Sequence, residues 1–408
     1  MIKKRPFLLL WIINITTTLA LELFFVTILV AVFEETSSTL QAAGTMVARM
    51  LPSFLLGPIA GVLVDRYPRK NVLISMDILR ILLIGFAIWL TQSGESVPIL
   101  GSYLVLAGLA TADVFHRPAR ISLIPSLVEQ DELVRANSFI MATNQIVLAV
   151  SYTVGGWLIQ FFPLQNIVIG ILILLILAII AAVFMVVPKR ITTDEAEEEQ
   201  ESVWEAFISG WRYLRGHPLA RPLTIMETIE HVPHGIWTGA LLLAFTVQAL
   251  QGDTTDWGYQ VTGYFSGMIV GSIIALGMEK RLNQLPGRII VLTAVLVGGM
   301  TLIFAASPNV WFAAFVAFLF GPPFAIRDVA QDSLLQATVE KEQLGRVYAT
   351  REMLRNVVFM FAGLFFAWLS DFMAIRLIYV IGGIIYIFTS IYAVSNRAIR
   401  TSQIKEAT

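Results

Sequence analysis

Four ionisable side chains recur at helical spacing in the stretch "METIEHVPHGIW". Glu227, Glu230, His231 and His234 share one helix face, because residues three and four apart are neighbours on a helix surface. Histidine titrates near neutral pH, so this face could take up protons. It could also bind a cationic substrate, or a divalent metal through Glu227 and the two histidines. The plainer alternative is that both glutamates lie near the cytoplasmic end of the helix and hydrogen-bond to a neighbouring helix. Pro233 can loosen the helix locally and free backbone carbonyls.

Two further polar residues interrupt apolar runs. Glu22 lies in "TTTLALELFFVT", where a charge at the centre of a membrane helix costs about 2.5–3.5 kcal/mol and so needs a partner, a water-filled cavity or a role. We expect Glu22 to be a proton or cation site, or else a carboxylate that reaches water near the end of its helix. Asn144 could hydrogen-bond a substrate, although such residues commonly bond other helices.

Six charged residues stand near the ends of apolar runs and predict a network of ion pairs. They are Asp113, Arg117, Arg327, Asp328, Arg351 and Arg355. Asp113 and Arg117 are four residues apart and could pair on one helix face. We expect this network to act as a gate, with ion pairs that form and break.

A short charged turn separates two apolar runs in "GPIAGVLVDRYPRKNVLI". It contains one carboxylate, Asp65, and three cations, Arg66, Arg69 and Lys70. Gly57 and Gly61 precede the turn, at a spacing that permits two helices to approach closely.

The elements that carry these residues are apolar enough to cross a membrane. The 408 residues are 57% hydrophobic and 14% charged, with a mean hydropathy of +0.75, whereas soluble domains carry about 25% charged residues. Many runs reach the ~20 residues that span a bilayer as a helix. We predict twelve spans, at 7–33, 40–64, 72–92, 98–118, 133–158, 164–187, 221–249, 257–278, 289–307, 309–333, 346–369 and 374–395.

Lysine and arginine concentrate in alternate loops, as they do in the cytoplasmic loops of membrane proteins. Arg66, Arg69 and Lys70 stand in one such loop, and both termini are also basic. Of the other set of loops, only the last carries a cation, Arg376. The pattern predicts an even number of spans with both termini in the cytoplasm.

The chain also repeats itself. The stretch Ser122–Ala136, "SLIPSLVEQDELVRA", aligns with Ser333–Val347, "SLLQATVEKEQLGRV", at an offset of 211 residues (333 minus 122). The fold class that follows is an all-α integral membrane protein of two pseudo-symmetric six-helix bundles. We place them at 1–187 and 221–408, joined by a cytoplasmic linker at 188–220.

The linker ends in an amphipathic helix. Trp204, Phe207 and Trp211 recur at helical spacing, with Arg212 and Arg215 beside the apolar face. Such a helix suits the membrane interface, or a position packed under the helical bundle.

The whole chain resembles the major facilitator superfamily. Twelve spans, a repeat of six plus six and the loop motif from Gly61 to Lys70 carry this resemblance. The stretch "RPARISLIPSLVEQDELVRANS" is similar to the branch that contains macrolide-efflux and siderophore-export proteins. The resemblance implies that the charged turn meets span eleven of the other half on the cytoplasmic side. Asp65 would then face the start of that span, near Arg351 or Arg355, as a latch of the outward-facing state.

We therefore expect a secondary active transporter that works by alternating access and exports a small amphipathic compound by proton antiport. An ion-coupled importer or divalent-metal transporter on the same fold is the alternative, and a transport-dead scaffold a third. The sequence shows no phosphate-binding loop, no catalytic triad and no cysteine, so we expect no enzyme activity, no cofactor and no metal centre. The expected partners are the substrate and the lipid bilayer, with no nucleic acid. We expect a monomer in the bacterial cytoplasmic membrane.

Overall fold

The computed structural model describes residues 5–92, 99–129, 132–187 and 203–403, and every regular element in these ranges is helical. The chain divides into two compact units, Met1–Glu197 and Glu198–Thr408. Each unit is built around its own apolar core.

The N-terminal unit has one long helix for each of the first six predicted spans, and a short helix between the fourth and fifth. Its helices are α1 (Arg5–Thr36), α2 (Thr39–Asp65), α3 (Arg69–Gln92), α4 (Ile99–Ile121), α5 (Ile124–Leu127), α6 (Leu133–Phe161) and α7 (Leu164–Phe184).

The C-terminal unit follows the same plan with one interrupted span. Its helices are α8 (Val203–Gly216), α9 (Ala220–His234), α10 (Gly239–Ala244), α11 (Thr254–Gly277), α12 (Glu279–Gln284), α13 (Pro286–Ala305), α14 (Val310–Thr338), α15 (Lys341–Ser370), α16 (Ile375–Ser395) and α17 (Arg397–Arg400).

Nine helical segments of the described residues are long and apolar enough to cross a membrane. The three other predicted spans coincide with α2, α6 and the interrupted helix that begins at α9. An all-helical membrane fold is therefore confirmed, while the number of twelve spans and the cytoplasmic termini stay predictions.

Both units pack their helices in the same pairs. In the N-terminal unit α2 packs on α4, and α1 packs on α6 and α7. The corresponding helices of the C-terminal unit make the same pairs, because α11 packs on α14 and α9 packs on α15 and α16. This shared pairing is what an internal repeat requires.

The sequence repeat marks equivalent positions in the two cores. Leu123 and Val128 are buried in the N-terminal core, and their partners at the offset of 211, Leu334 and Val339, are buried in the C-terminal core. The backbone around them differs, since the first copy breaks into α5 whereas the second continues α14 to Thr338. The repeat therefore preserves core packing more closely than local helix boundaries.

The seventh predicted span is not one continuous α-helix, which corrects the expectation of an unbroken run at 221–249. It turns into a 3₁₀ segment at Gly235–Trp237, restarts as α10 and ends in a π-helical turn at Phe245–Ala249. Pro233 lies just before the break. Its ring lacks an N–H and crowds the preceding turn, which weakens the helix there. The Tyr379 hydroxyl donates to the Ile236 carbonyl at 3.0 Å, which satisfies an acceptor that the break releases.

Glycines bring α11 and α14 into backbone contact. A Cβ atom built on Gly267 would lie 2.0 Å from the Phe318 carbonyl oxygen, and one on Gly321 would lie 2.3 Å from the Gly267 carbonyl carbon. Only glycine fits at this crossing, since any side chain would collide with backbone that cannot move aside.

The amphipathic helix α8 packs on α15 and α9 within the C-terminal unit. A Cβ atom at Gly210 would meet the Arg346 carbonyl oxygen at 2.6 Å, and Leu214 is buried in the C-terminal core. Of the two placements that the sequence left open, this contact favours a helix packed on the bundle.

Candidate functional site

Glu22 lies near the middle of α1 and pairs with an arginine of α2. The Arg49 Nη1 atom donates to Glu22 Oε2 at 2.8 Å, and its Nη2 atom contacts the second carboxylate oxygen. The Arg49 guanidinium also stacks over the Phe25 ring at 4.7 Å. Glu22 is buried and lies fourteen residues before Thr36, about 21 Å at the rise of an α-helix. The expectation of a carboxylate near the helix end is therefore wrong.

Glu227 of α9 is the centre of the largest ion-pair cluster in the described part of the C-terminal unit. Arg351 donates to Glu227 Oε2 through Nε at 2.9 Å and through Nη2 at 2.5 Å. Arg355 donates to Glu227 Oε1 at 3.1 Å and also contacts Glu352. Glu227 and Arg351 are both buried, so one carboxylate holds two arginines of α15.

Glu230, one turn later, pairs with Arg327 of α14. Both side chains are buried, and the Arg327 guanidinium lies 4.6 Å from the centre of the Phe324 ring. The carboxylates of α9 thus reach two different neighbouring helices. The sequence assigned these glutamates to a cavity and the arginines to a separate gate, whereas the structure joins them in one site.

The two histidines of this face have other contacts. His231 Nδ1 lies 2.8 Å from the Glu227 carbonyl oxygen of its own helix. His234 Nδ1 lies 3.3 Å from the Tyr386 hydroxyl, and its ring stacks on Phe324 at 5.0 Å. Among the residues that the structure describes, no group of three or more His, Asp or Glu side chains could hold a metal ion.

Asn144 bonds another helix, as such residues commonly do. Its Oδ1 atom accepts from Asn14 Nδ2 at 2.7 Å, and Asn14 is fully buried in α1. The bond links α6 to α1 within the N-terminal unit.

Asp113 pairs with Arg80 of α3, so its predicted pairing with Arg117 is wrong. Arg80 Nη2 donates to Asp113 at 2.7 Å, and Arg80 Nη1 donates to Asp77 at the same distance. The side chain of Arg117 is exposed. Arg80 is fully buried and needs counter-charges, which Asp77 and Asp113 supply, whereas Arg117 is exposed.

The cations of the charged turn bind the ends of neighbouring helices. Arg69 donates to the Ser122 carbonyl at 2.9 Å, just beyond α4. Lys70 donates to the Val183 and Met185 carbonyls at 2.7 and 2.9 Å, where α7 ends. A cation is favourable there because the last carbonyls of a helix lack intrahelical partners. Backbone carbonyls at the end of α7 thus accept the bonds of Lys70.

The other motif residues are placed as follows. Asp65 is the last residue of α2, and the Asp65 side chain and the surroundings of Gly61 lie outside the described part of the structure. Arg66 is exposed. A Cβ atom at Gly57 would meet nothing within 4 Å, so no close helix contact in this structure requires that glycine.

Arg351 and Arg355 do not stand at the start of their helix, which corrects the expected latch geometry. The helix α15 begins at Lys341, so Arg351 lies ten residues further along, about 15 Å at the α-helical rise. The helix dipole acts within the first turn only and does not reach this position.

Three residues of these clusters escaped the sequence analysis, namely Arg49, Asp77 and Arg80. Each is a charged residue inside an otherwise apolar helix. The cost of a charge in a membrane, which singled out Glu22, applies to all three and was the signal that could have found them.

Arg376, the exceptional cation of its loop set, donates to the Ala305 and Ala249 carbonyls at 2.7 and 3.1 Å, where two helical segments end.

Comparison with known proteins gives consistent matches. The profile of the Major Facilitator Superfamily matches residues 10–255, and one described as MFS/sugar transport protein matches residues 165–347. The MFS-type transporter YfmI of Bacillus subtilis is 24% identical over 383 residues, which cover 93% of each chain. Macrolide efflux protein A of Streptococcus pyogenes is 23% identical over 350 residues, covering 85% of this chain and 84% of that protein.

Solved structures share the fold. An inward-facing bacterial homologue of the lysosomal transporter Spinster has a TM-score of 0.71 at 14% identity, over the whole of both chains. A bacterial homologue of the iron transporter ferroportin, also inward-facing, has a TM-score of 0.68 at 15% identity, over 96% of this chain and 98% of the other. At these identities the likeness shows the fold alone.

Proposed function

Because the chain belongs to the major facilitator superfamily, we propose that it exports a small amphipathic compound in exchange for protons. Membership makes it a multi-pass membrane transporter rather than an enzyme. The match to macrolide efflux protein A over most of both chains supports export and a macrolide-like substrate class. We place the protein in the bacterial cytoplasmic membrane, as a monomer.

The observation that supports proton coupling is that one buried carboxylate binds two arginines. Glu227 accepts hydrogen bonds from Arg351 and Arg355, both on α15. A proton on Glu227 removes the negative charge that holds these guanidinium groups, and so releases α9 from α15. Protonation and substrate could then bias the same two-state element, which is what coupling requires.

Glu22 offers the same switch in the N-terminal unit. Its carboxylate holds Arg49, so a proton on Glu22 would release α1 from α2. Two separate carboxylates would let each unit respond to protons, with Glu230 and Arg327 adding a second pair between α9 and α14.

Aromatic side chains beside the α9 cluster suit an amphipathic substrate. His234, Trp237 and Tyr264 are partly exposed and lie against the buried rings of Phe320 and Phe324. Such walls bind apolar rings while a few polar groups set the orientation. A divalent-metal substrate has less support, because arginines occupy both oxygens of Glu227.

The test uses proteoliposomes that enclose a pH-sensitive dye, with the macrolide erythromycin added outside. Entry of erythromycin down its gradient should drive protons out and raise the lumenal pH above that of protein-free liposomes. In the variant with both Glu22→Gln and Glu227→Gln, proton movement should stop while exchange of labelled for unlabelled erythromycin continues.

The matched control is Glu352→Gln, since Glu352 is exposed and contacts the same Arg355. Proton flux that is unchanged in the double variant would remove these coupling residues. Erythromycin exchange without proton movement in the unaltered protein would exclude antiport, and no exchange at all would exclude macrolides.

We also propose that the turn from Asp65 to Lys70 latches the outward-facing state. Arg69 and Lys70 fix this turn, which follows Asp65, to the ends of two neighbouring helices. The chain has no cysteine, so introduced pairs can carry spin labels specifically. Asp65→Asn should reduce the outward-facing population in distance measurements, and unchanged populations would contradict the latch.

A further inference from the structure

A buried histidine lies within an ion-pair cluster between α3 and α4. His116 is 1% exposed, and Asp77 and Arg80 are fully buried. His116 Nε2 lies 3.5 Å from Asp77 Oδ1, the same oxygen that accepts from Arg80 Nη1 at 2.7 Å. Arg80 also donates to Asp113 on α4. A titratable ring and a guanidinium group thus share one carboxylate oxygen.

Several buried polar atoms of this cluster are unpaired within the part of the chain that the structure describes. Asp77 Oδ2, Arg80 Nε and His116 Nε2 make no hydrogen bond to any described residue. Leaving a buried polar atom unpaired costs about 1–3 kcal/mol. One proton on His116 would make Nε2 a charged donor to the Asp77 carboxylate, and such a charge-assisted hydrogen bond is stronger than the one that a neutral Nε2–H could make.

The charged groups around His116 act on its proton in opposite directions. Two carboxylates, Asp77 and Asp113, touch a single guanidinium group, Arg80. Arg80 on α3 and Arg120 on α4 oppose a charge on the ring, whereas Asp77, whose Oδ1 atom lies 3.5 Å from Nε2, favours it. Arg49 on α2, which pairs with Glu22 on α1, acts on Asp113. The direct contact with Asp77 is the feature that would hold a proton on the ring.

We infer that His116 and Asp77 form a proton-binding site of the N-terminal unit, distinct from the glutamates of α1 and α9. A proton on His116 competes with Arg80 for Asp77 Oδ1, so Arg80 shifts its bonding toward Asp113. The connection between α3 and α4 then changes from one ion pair to two, which tightens this helix pair.

The same helices carry the charged turn. Arg69, the first residue of α3, donates to Ser122 just beyond α4. Asp77 lies eight residues further along α3, about 12 Å at the α-helical rise. A change in the packing of α3 on α4 at His116 therefore reaches the charged turn through a single helix. Binding of a proton to His116 would in this way shift the turn that follows Asp65.

The test is a titration of the full-length protein labelled with ¹⁵N-histidine, in lipid nanodiscs. The chain has four histidines, and the signal that disappears in His116→Gln or His116→Asn, whichever is monodisperse, belongs to His116. We expect this signal to change from charged to neutral as the pH rises from about 5 to about 8, the range of histidine. In Asp77→Asn the midpoint should move about one pH unit lower, which is a tenfold loss of proton affinity.

A single protonation state of His116 from pH 5 to pH 8 would overturn the inference, and so would a midpoint that Asp77→Asn leaves unchanged. A merely structural histidine would lose stability on substitution but would show neither titration nor dependence on Asp77. The titration needs no substrate. Failure of proton-coupled export with a titrating His116, or the reverse, would therefore separate this inference from the proposed function.

Discussion

The two units share a scaffold but carry their charges on different helices. In the N-terminal unit α1 reaches α2 through Glu22 and Arg49, and a second cluster joins α3 to α4 through Arg80. In the C-terminal unit α9 reaches α15 through Glu227 and α14 through Glu230. Helix pairing follows the repeat, whereas ion pairing does not. The repeat therefore preserves the packing of the helices, whereas the ion pairs differ between the two units.

The carboxylates also differ in how completely their partners are enclosed. The side chain of Arg49 is 39% exposed, whereas that of Arg351 is 3% exposed. A part-exposed arginine can turn toward other polar groups when its partner is lost, but a fully enclosed one cannot. Loss of the negative charge at Glu227 should therefore perturb its unit more strongly than the same change at Glu22.

The largest predicted effect follows from that difference. Glu227→Gln should lower the free energy of unfolding by about 3–5 kcal/mol, because it would leave the buried Arg351 with the more distant carboxylate of Asp332, at 4.0 Å. Glu22→Gln should cost about 1–3 kcal/mol, since Arg49 is part-exposed. Thermal unfolding of the purified protein in detergent, followed by tryptophan fluorescence, measures both.

Glu352→Gln is the control for these variants, because Glu352 is 58% exposed and contacts the same Arg355. It should cost less than about 1 kcal/mol. If Glu22→Gln destabilised the protein as much as Glu227→Gln, the difference in burial would not be what separates the two units.

The sequence predicted the scaffold better than the contacts within it. Apolar run lengths located the long helices to within a few residues, because the hydrocarbon thickness imposes a minimum length that few other structures need. They did not reveal that Glu22 meets Arg49, since that pairing depends on the rotation of α1 against α2. Nor did they reveal the change at Gly235, where Pro233 weakens the helix but tertiary packing decides the new conformation.

The second prediction compares glycines of corresponding helices, α11 and α2. Gly267→Ala should cost about 1–3 kcal/mol, because its Cβ atom would collide with the backbone at Phe318. Gly57→Ala should be neutral or stabilising by up to about 1 kcal/mol, since open space surrounds the new methyl group and alanine favours a helix. The same unfolding measurement applies. Equal losses at both glycines would show that α2 makes a close contact that this structure lacks.

The smallest predicted effect concerns the interrupted helix, which has no counterpart in α1. Tyr379→Phe removes the donor to the Ile236 carbonyl and keeps the ring against Trp237 and Phe245. It should cost about 0.6 kcal/mol and at most about 1.7 kcal/mol, the average and the maximum of double-mutant cycles on hydrogen bonds between membrane helices. Tyr259→Phe is the matched control, because Tyr259 is exposed and keeps its stacking on Trp311. If the two variants unfolded at the same temperature, Tyr379 would not stabilise the break, and the aromatic packing around Trp237 would have to hold it alone.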